Sequence, residues 1–238
     1  MDLKETSILG DLIDNHWYYC SKANALNQIV GDIRRSRILD VGAGSGFFSR
    51  HLLKEGPTKE AWCVDKSYSS DWDENENDKP IHFRRSIDAC SADLVLLMDV
   101  LEHVDDDIAL LKNYAQKVPK GTHFLISVPA FQFLWSHHDI FLEHRRRYRL
   151  SEIENVVRSA DLELINSMYY FGLVFPVAVA TRLAEKLLPK RPERTRSQLR
   201  SHHPLVNSTL AKLCDMELRF MSRNKAFGLT VFCLASKR

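Results

Sequence analysis

Residues Ile38 to Ser49 read Ile-Leu-Asp-Val-Gly-Ala-Gly-Ser-Gly-Phe-Phe-Ser, and no other run constrains the fold as tightly. An apolar strand enters a turn with alternating glycines at Gly42, Gly44 and Gly46, and a helix-forming segment leaves it. Glycine lets the backbone turn sharply and approach a ligand with no Cβ in the way. The free amides at the start of the following helix point at the same spot. Phe47 stands where a GxGxxG dinucleotide pattern would place its third spaced glycine. Asp40, just before the turn, would repel a pyrophosphate and attract a cation. The turn therefore suits a nucleoside ligand that carries positive charge.

The rest of the chain alternates short apolar runs with longer amphipathic ones, the pattern of a mostly parallel sheet covered by helices. Strands are expected at Ser36–Val41, Ala61–Asp65, Ile81–Arg84, Asp93–Met98, Thr122–Val128, Leu162–Tyr170 and Leu229–Ala235. Helices are expected near Gly10–Ile33, Phe47–Lys54, Asp106–Val118 and Ser151–Ser159, the last opening on Ser151 and Glu154 at capping-box spacing. The acid-rich stretch Asp71–Asp78 reads as a solvated loop. At 238 residues the whole chain is read as one domain, with an N-terminal helical lid (1–34) and a helical insertion (171–223) between the sixth and seventh strands.

Composition narrows the setting. A net charge of +2 argues against a dedicated nucleic-acid binder. The five scattered cysteines suggest reduced thiols in a cytoplasmic protein, with neither a disulfide framework nor a zinc site, and no metal is expected. The N-terminus lacks the features of a signal peptide. The most apolar stretch, Met168–Ala180, is shorter than the about 20 residues that span a bilayer.

Two further elements bear on the ligand. Asp65 ends the second strand nineteen residues after Gly46, where an acidic side chain can accept both hydroxyls of a ribose. The fourth strand, Asp93 to Met98, runs into Asp99-Val100-Leu101-Glu102-His103-Val104. Ligands of open α/β sheets bind at the carboxyl ends of the strands, which is where Asp99 falls. Asp99 can equally cap a helix, and Glu102 and His103 can be supporting or capping residues.

Taken together, ILDVGAGSGFFS, Asp65 and LVLLMDVLEHV resemble the motifs of class I S-adenosylmethionine-dependent methyltransferases, over most of the chain. The resemblance implies a Rossmann-like α/β fold with a seven-stranded, mostly parallel sheet, an antiparallel last strand and helices on both faces. It implies S-adenosylmethionine as methyl donor and S-adenosylhomocysteine as product. Asp40, Gly42, Ala43, Gly44 and Gly46 would line the methionine side, Asp65 with Lys66 beside it would hold the ribose, and Met98 and Asp99 would border the site. Asp88 is the candidate for reading the adenine amine.

The acceptor side is sought after the fifth strand, in Pro129–Asp139 and Glu143–Tyr148. Histidine is a reasonable general base near neutral pH, and a neighbouring aspartate can orient it. Arg146 and Arg147 could clamp a phosphate or carboxylate, or an Arg–Asp–His set could pin a long loop. The pattern Trp135, Asp139, His144, Arg146-Arg147-Tyr148, with the early His16-Trp17-Tyr18, looks like a bacterial subgroup of these enzymes that accompanies polysaccharide and glycolipid assembly. That resemblance gives His138, Asp139, His144, Arg147 and Tyr148 as acceptor-site residues and a small-molecule, sugar or lipid-linked acceptor. Glu143 and Arg145 depart from it, standing where a glycine and an aromatic residue are more usual.

Asn15–Tyr19 can anchor an N-terminal helix or form a lid over the cofactor mouth. The basic run Arg182, Lys186, Lys190, Arg191, Arg194, Arg196 and Arg200 can cap the acceptor pocket, or bring 171–200 to the inner face of a membrane. A protein or RNA methyltransferase and a non-catalytic S-adenosylmethionine-binding module stay open as alternatives, although no NPPY-like tetrapeptide follows the fourth strand.

Overall fold

A computed structural model describes residues 10–187 and 203–238. Eight strands form one sheet: β1 (Arg37–Val41), β2 (Glu60–Val64), β3 (Trp72–Glu76), β4 (Lys79–Arg84), β5 (Leu94–Met98), β6 (His123–Pro129), β7 (Leu162–Tyr170) and β8 (Thr230–Lys237). Their order is β3-β4-β2-β1-β5-β6-β8-β7. β4, β2, β1, β5 and β6 pair in parallel, while β8 runs antiparallel to both β6 and β7. The seven helices of the described residues are α1 (Trp17–Ile29), α2 (Phe47–Glu55), α3 (Asp107–Gln116), α4 (His137–Phe141), α5 (Leu150–Ser159), α6 (Phe175–Leu187) and α7 (Pro204–Met221).

Alternation along the strands divides the core into two layers. Ile38, Leu94, Leu96 and Phe232 face a cluster that receives Tyr19 and Leu26 of α1, Phe48 and Leu52 of α2, and Cys214 and Met221 of α7. Leu39, Val95, Leu97 and Cys233 face the other side, against Leu111 of α3 and Ile153 and Val157 of α5. β5 is buried on both faces, which is why it reads as an unbroken apolar run.

β3, a strand the sequence did not suggest, corrects the expected loop at Asp71–Asp78. β3 pairs antiparallel with β4, and the connecting Asn77 and Asp78 both have positive φ, 54° and 60°, as a two-residue type I′ hairpin turn requires. The acids look solvated in sequence, but Trp72 stacks on Phe83 with ring centroids 4.3 Å apart. Arg50 of α2 pairs with Glu74 at 2.5 Å and Glu76 at 3.0 Å.

Two helix starts also differ from expectation. The N-terminal helix breaks at His16 into a 3-10 turn (Gly10–Asn15) and α1, because the His16 Nδ1 accepts the Tyr18 N–H (3.3 Å) and caps the new start. The start of α5 is not capped by Ser151. Glu152 accepts the Arg149 N–H at 2.6 Å, and Glu154 instead accepts the Ser167 hydroxyl from β7.

The insertion carries α6 and α7. Glu217 of α7 accepts the N–H groups of Gly172 (2.7 Å) and Leu173 (3.1 Å). Asn207 binds the Trp17 N–H and the Asn15 carbonyl, both at 2.9 Å, so the insertion is tied to the N-terminal helix. The basic residues Lys190, Arg191, Arg194, Arg196 and Arg200 lie outside the described residues. Among the described residues no helix is long and apolar enough to cross a membrane.

Candidate active site

Strand order reverses between β1 and β5, and the glycine turn leaves β1 at that switch point. Gly42 has φ +65°, and a Cβ there would lie 2.7 Å from Cγ2 of Val100, so the turn and the end of β5 can approach only through glycine. A Cβ on Gly46 (φ +74°) would lie 3.1 Å from the Phe83 ring. The Gly42 N–H donates to the Val64 carbonyl at 2.7 Å, the Gly44 N–H to the Asp65 carboxylate at 3.2 Å, and the Tyr68 hydroxyl to the Gly44 carbonyl at 2.6 Å. The turn is thus preformed, with Asp65 locked beside it. The other oxygen of Asp65 accepts the Ser67 N–H at 2.9 Å.

Asp40 is buried beneath the turn and accepts the Ser49 hydroxyl at 2.8 Å. Burial, with Asp65 nearby, pushes its carboxyl up to about 6. The Ser45 hydroxyl, also buried, has no hydrogen-bond partner among the described residues. A glycine cradle, a buried carboxylate and an orphaned hydroxyl together fit a cationic nucleoside. Ala43 packs into the core with its neighbours, and Met98 is buried at the end of β5. Lys66 and Asp88 are exposed, Asp88 in the loop between β4 and β5.

Asp99 does not cap a helix. It sits at φ +56°, a strained position for a non-glycine residue at the mouth of the crevice. Its N–H donates to the Ser127 carbonyl at 3.0 Å, and its carboxylate forms an ion pair with Lys22 of α1. Lys22 is fully buried, donates to the Tyr18 hydroxyl at 3.3 Å and stands over the Tyr18 ring. Burial alone would lower the Lys22 pKa, but Asp99 outweighs it and holds the ammonium above its ordinary value. In the same way burial opposes ionisation of Asp99, and Lys22 holds its carboxyl below the usual range. Lys22 was not among the expected site residues. Its signal was a lysine on the stripe Tyr19, Lys22, Ala23, Leu26, which is otherwise apolar and buried.

Between β6 and α5, Asp139 of α4 is fully buried. It takes Arg147 Nε at 2.7 Å and Nη2 at 3.0 Å, His144 Nδ1 at 3.0 Å and the Ser136 N–H at 2.9 Å. Burial opposes its ionisation, yet His144 and Arg147 hold its carboxyl well below the usual carboxylate range. Arg147 also donates to the Ala130 carbonyl at 3.1 Å, and Arg146 reaches the carbonyls of Val104 and Asp105. These guanidinium groups hold the loop. Tyr148 is buried, its hydroxyl bonded to the Leu101 carbonyl (3.1 Å) and Asp107 (2.8 Å), and it does not line the cavity described next.

A cavity of about 590 Å³ opens beside Asp99, and His138, His144 and Arg147 line it. Trp17 and Tyr18 form part of its wall, whereas Tyr19 lies in the core, so the N-terminal aromatic cluster both anchors the helix and covers the site. Tyr18 stacks on Phe171 at 5.1 Å, joining α1 to the start of the insertion. Leu173 and Val177 complete an apolar rim that is 43% and 67% exposed. A second cleft of about 530 Å³, lined by Lys112, Asp161 and Arg238, lies at the opposite ends of the strands, away from Asp99.

Residues 15–167, well over half of the chain, match the family described as a methyltransferase domain. No curated protein sequence matches the chain. Among solved structures it is similar to a protein described as a methyltransferase in complex with the Trm112 methyltransferase activator of Haloferax volcanii (TM-score 0.55, 17% identity, 99% of this chain and 92% of that one). It is also similar to a SAM-dependent methyltransferase from Archaeoglobus fulgidus (TM-score 0.53, 16% identity, 91% and 93%). A third similar structure is an O-methyltransferase family 2 protein from Planctomyces limnophilus in complex with apigenin (TM-score 0.51, 16% identity, 92% and 56%). At these identities the likeness is one of fold.

Proposed function

The chain belongs to the methyltransferase domain family, and from that premise we propose that it methylates an oxygen or nitrogen of a small-molecule, sugar or lipid-linked acceptor bound in the cavity beside Asp99. S-adenosylmethionine is the methyl donor, and when bound it supplies an electrophilic methyl group on a sulfonium. In this reading Gly42, Gly44 and Gly46 admit its methionine part, Asp40 provides the anionic floor, and Asp65 accepts the ribose hydroxyls. The observation that carries the reading is the position of the cavity: it meets the switch point at Asp99, where the glycine turn also converges.

Catalysis then comes largely from positioning, because an in-line displacement needs the acceptor atom held in near-attack geometry. His138 and His144 line the cavity, either would take the acceptor proton in this reading, and Asp139 orients His144. Walls from α1, α6 and α7 keep water from the transfer. A volume of about 590 Å³ favours a small acceptor over a polymer, and the exposed Leu173 and Val177 suit one with an apolar arm. The apigenin complex of the Planctomyces relative is in keeping with a small acceptor of this kind.

The test is to incubate the chain with methyl-labelled S-adenosylmethionine and cell extract, then split the products between aqueous and lipid phases. Label is expected in a small or lipid-linked product, with uptake reduced at least about tenfold in Asp65→Ala, the loss of one good hydrogen-bonded charge contact. Label in protein or RNA would overturn the acceptor class, and undiminished uptake by Asp65→Ala would overturn the ribose assignment.

A further inference from the structure

Glu102 and His103 belong to the 3-10 turn that follows β5, and His144 belongs to the loop after α4. Each offers a ligand atom, and the three atoms lie within 4.8 Å of one another. We propose that Glu102, His103 and His144 bind a divalent first-row transition-metal cation in the wall of the cavity, and that this cation takes an oxygen of the acceptor. Only the second half of the proposal rests on the methyl-transfer reading; the cation site stands on the side chains alone.

The state of Glu102 points to a ligand. Its side chain is fully buried, and neither carboxylate oxygen has a hydrogen-bond partner among the described residues. An isolated buried carboxylate is costly unless it is paired, neutralised or bound to a metal. The nearby cation, Lys22, makes its ion pair with Asp99. A metal ion would supply the missing countercharge.

His144 is held as metal-binding histidines are held. Its Nδ1 meets the Asp139 carboxylate at 3.0 Å, which fixes the ring and leaves Nε2 for a metal. Arg147 in turn fixes Asp139. Arg145 brings the two segments together: its N–H donates to the Glu102 carbonyl at 2.7 Å, and its Nε to the His103 carbonyl at 2.9 Å. The rings of His103 and His144 stand edge to face at 4.8 Å.

Two imidazoles and one carboxylate suit zinc, iron(II) or manganese better than magnesium or calcium, which prefer all-oxygen sets. Three protein ligands leave coordination positions open, and all three residues line the acceptor cavity together with Asp99. A hydroxyl bound there would lose its proton more readily, and with His144 on the cation His138 would be the base that takes it. The oxygen lone pair then forms the O–CH3 bond, and the C–S bond breaks with its electron pair staying on sulfur. The products are the methyl ether, S-adenosylhomocysteine and one proton.

The experiment strips the full chain with a chelator, removes the chelator, and titrates Zn2+ and Mn2+ by calorimetry, with the visible spectrum of added Co2+ as a second readout. S-adenosylmethionine binding is measured in parallel on every sample. One cation per chain is expected, bound at least tenfold more weakly by Glu102→Gln and by His103→Gln, with the Co2+ band lost in both. If a variant fails to fold, the stoichiometry and Co2+ spectrum of the unmodified chain still decide. No stoichiometric uptake by protein that binds S-adenosylmethionine overturns the cation site, as does equal affinity in both variants. Cation uptake without S-adenosylmethionine binding would instead overturn the cofactor reading and leave the cation site standing.

Discussion

Asp40 shows how one residue can set stability and ligand binding against each other. Its carboxyl is pushed up from 3.8 to about 6, first by burial and then by Asp65. The folded state therefore holds this proton more tightly than the unfolded chain, and the stability Asp40 contributes is complete below its ordinary value and lost as pH rises through about 6. A cationic ligand needs the opposite protonation state. S-adenosylmethionine affinity is thus expected to fall about tenfold between about pH 7 and about pH 5, as one proton is taken up. Asp40→Asn should bind the cofactor more weakly at neutral pH, lose that pH dependence, and melt no lower than the parent above about pH 7. Calorimetric titrations and melting curves across this range check all three, and an unchanged pH profile in Asp40→Asn would remove Asp40 from the site. Asp40, Gly42, Gly44, Gly46 and Asp65 were proposed from the sequence because they sit within one strand–turn–helix and the end of the next strand. Lys22 and Glu102 were not, since each matters through a partner from a distant segment. The sequence spacing likewise suggested no metal, because His144 lies some forty residues from Glu102 and only folding brings them together.

Among the elements, the parallel strands were readable to within a residue or two, because strands buried on both faces leave unbroken apolar runs. The β3–β4 hairpin was missed for the converse reason. It is an edge ribbon whose stability comes from Trp72 on Phe83 and from Arg50, and its acids mimic a loop. Its turn residues did carry a signal, since Asn77 and Asp78 both tolerate positive φ. Asn-Gly suits such a turn better still. Asp78→Gly is therefore expected to stabilise the protein by about 0.5 kcal/mol, the relief of a left-handed non-glycine residue less the entropy that glycine adds to the unfolded chain. In a chain of this size that raises Tm by roughly 1–2 °C. A Tm that falls would show that the Asp78 side chain contributes more than its backbone costs. The loop after β6 was read only in part: His138, His144 and Arg147 line the cavity, Arg147 also binds Asp139, and Tyr148 holds the loop from behind. Motif spacing cannot separate these roles, because a charged side chain looks the same in sequence whether it faces a ligand or a neighbouring carboxylate.

Across the whole molecule, the cover of the cavity is assembled from the two ends of the chain. α1 and α7 are joined by Asn207 and by packing of α7 on the face that also receives Tyr19. Lys22 then carries α1 to Asp99, 77 residues away, at the point where cofactor and acceptor would meet. That ion pair gives the cover a physical link to cofactor binding. At a free concentration one hundred times Kd, S-adenosylmethionine should add about 2.7 kcal/mol to stability. This corresponds to roughly 5–10 °C in Tm for a domain of this length. Amide hydrogen exchange in α1 should slow along with it, because opening α1 breaks the Lys22–Asp99 pair and exposes the site. Lys22→Met keeps much of the side chain's length but leaves Asp99 without its cation, which costs up to about 3–5 kcal/mol in a buried pair. Asp99 keeps about a quarter of its side-chain exposure, so the loss should fall at the low end. In this variant the cofactor should still raise Tm through Asp65 and the glycine turn, but α1 should exchange at the same rate with and without it. If α1 were protected equally in both proteins, the cover would be coupled to the cofactor through packing alone, and the ion pair would serve only to position Asp99.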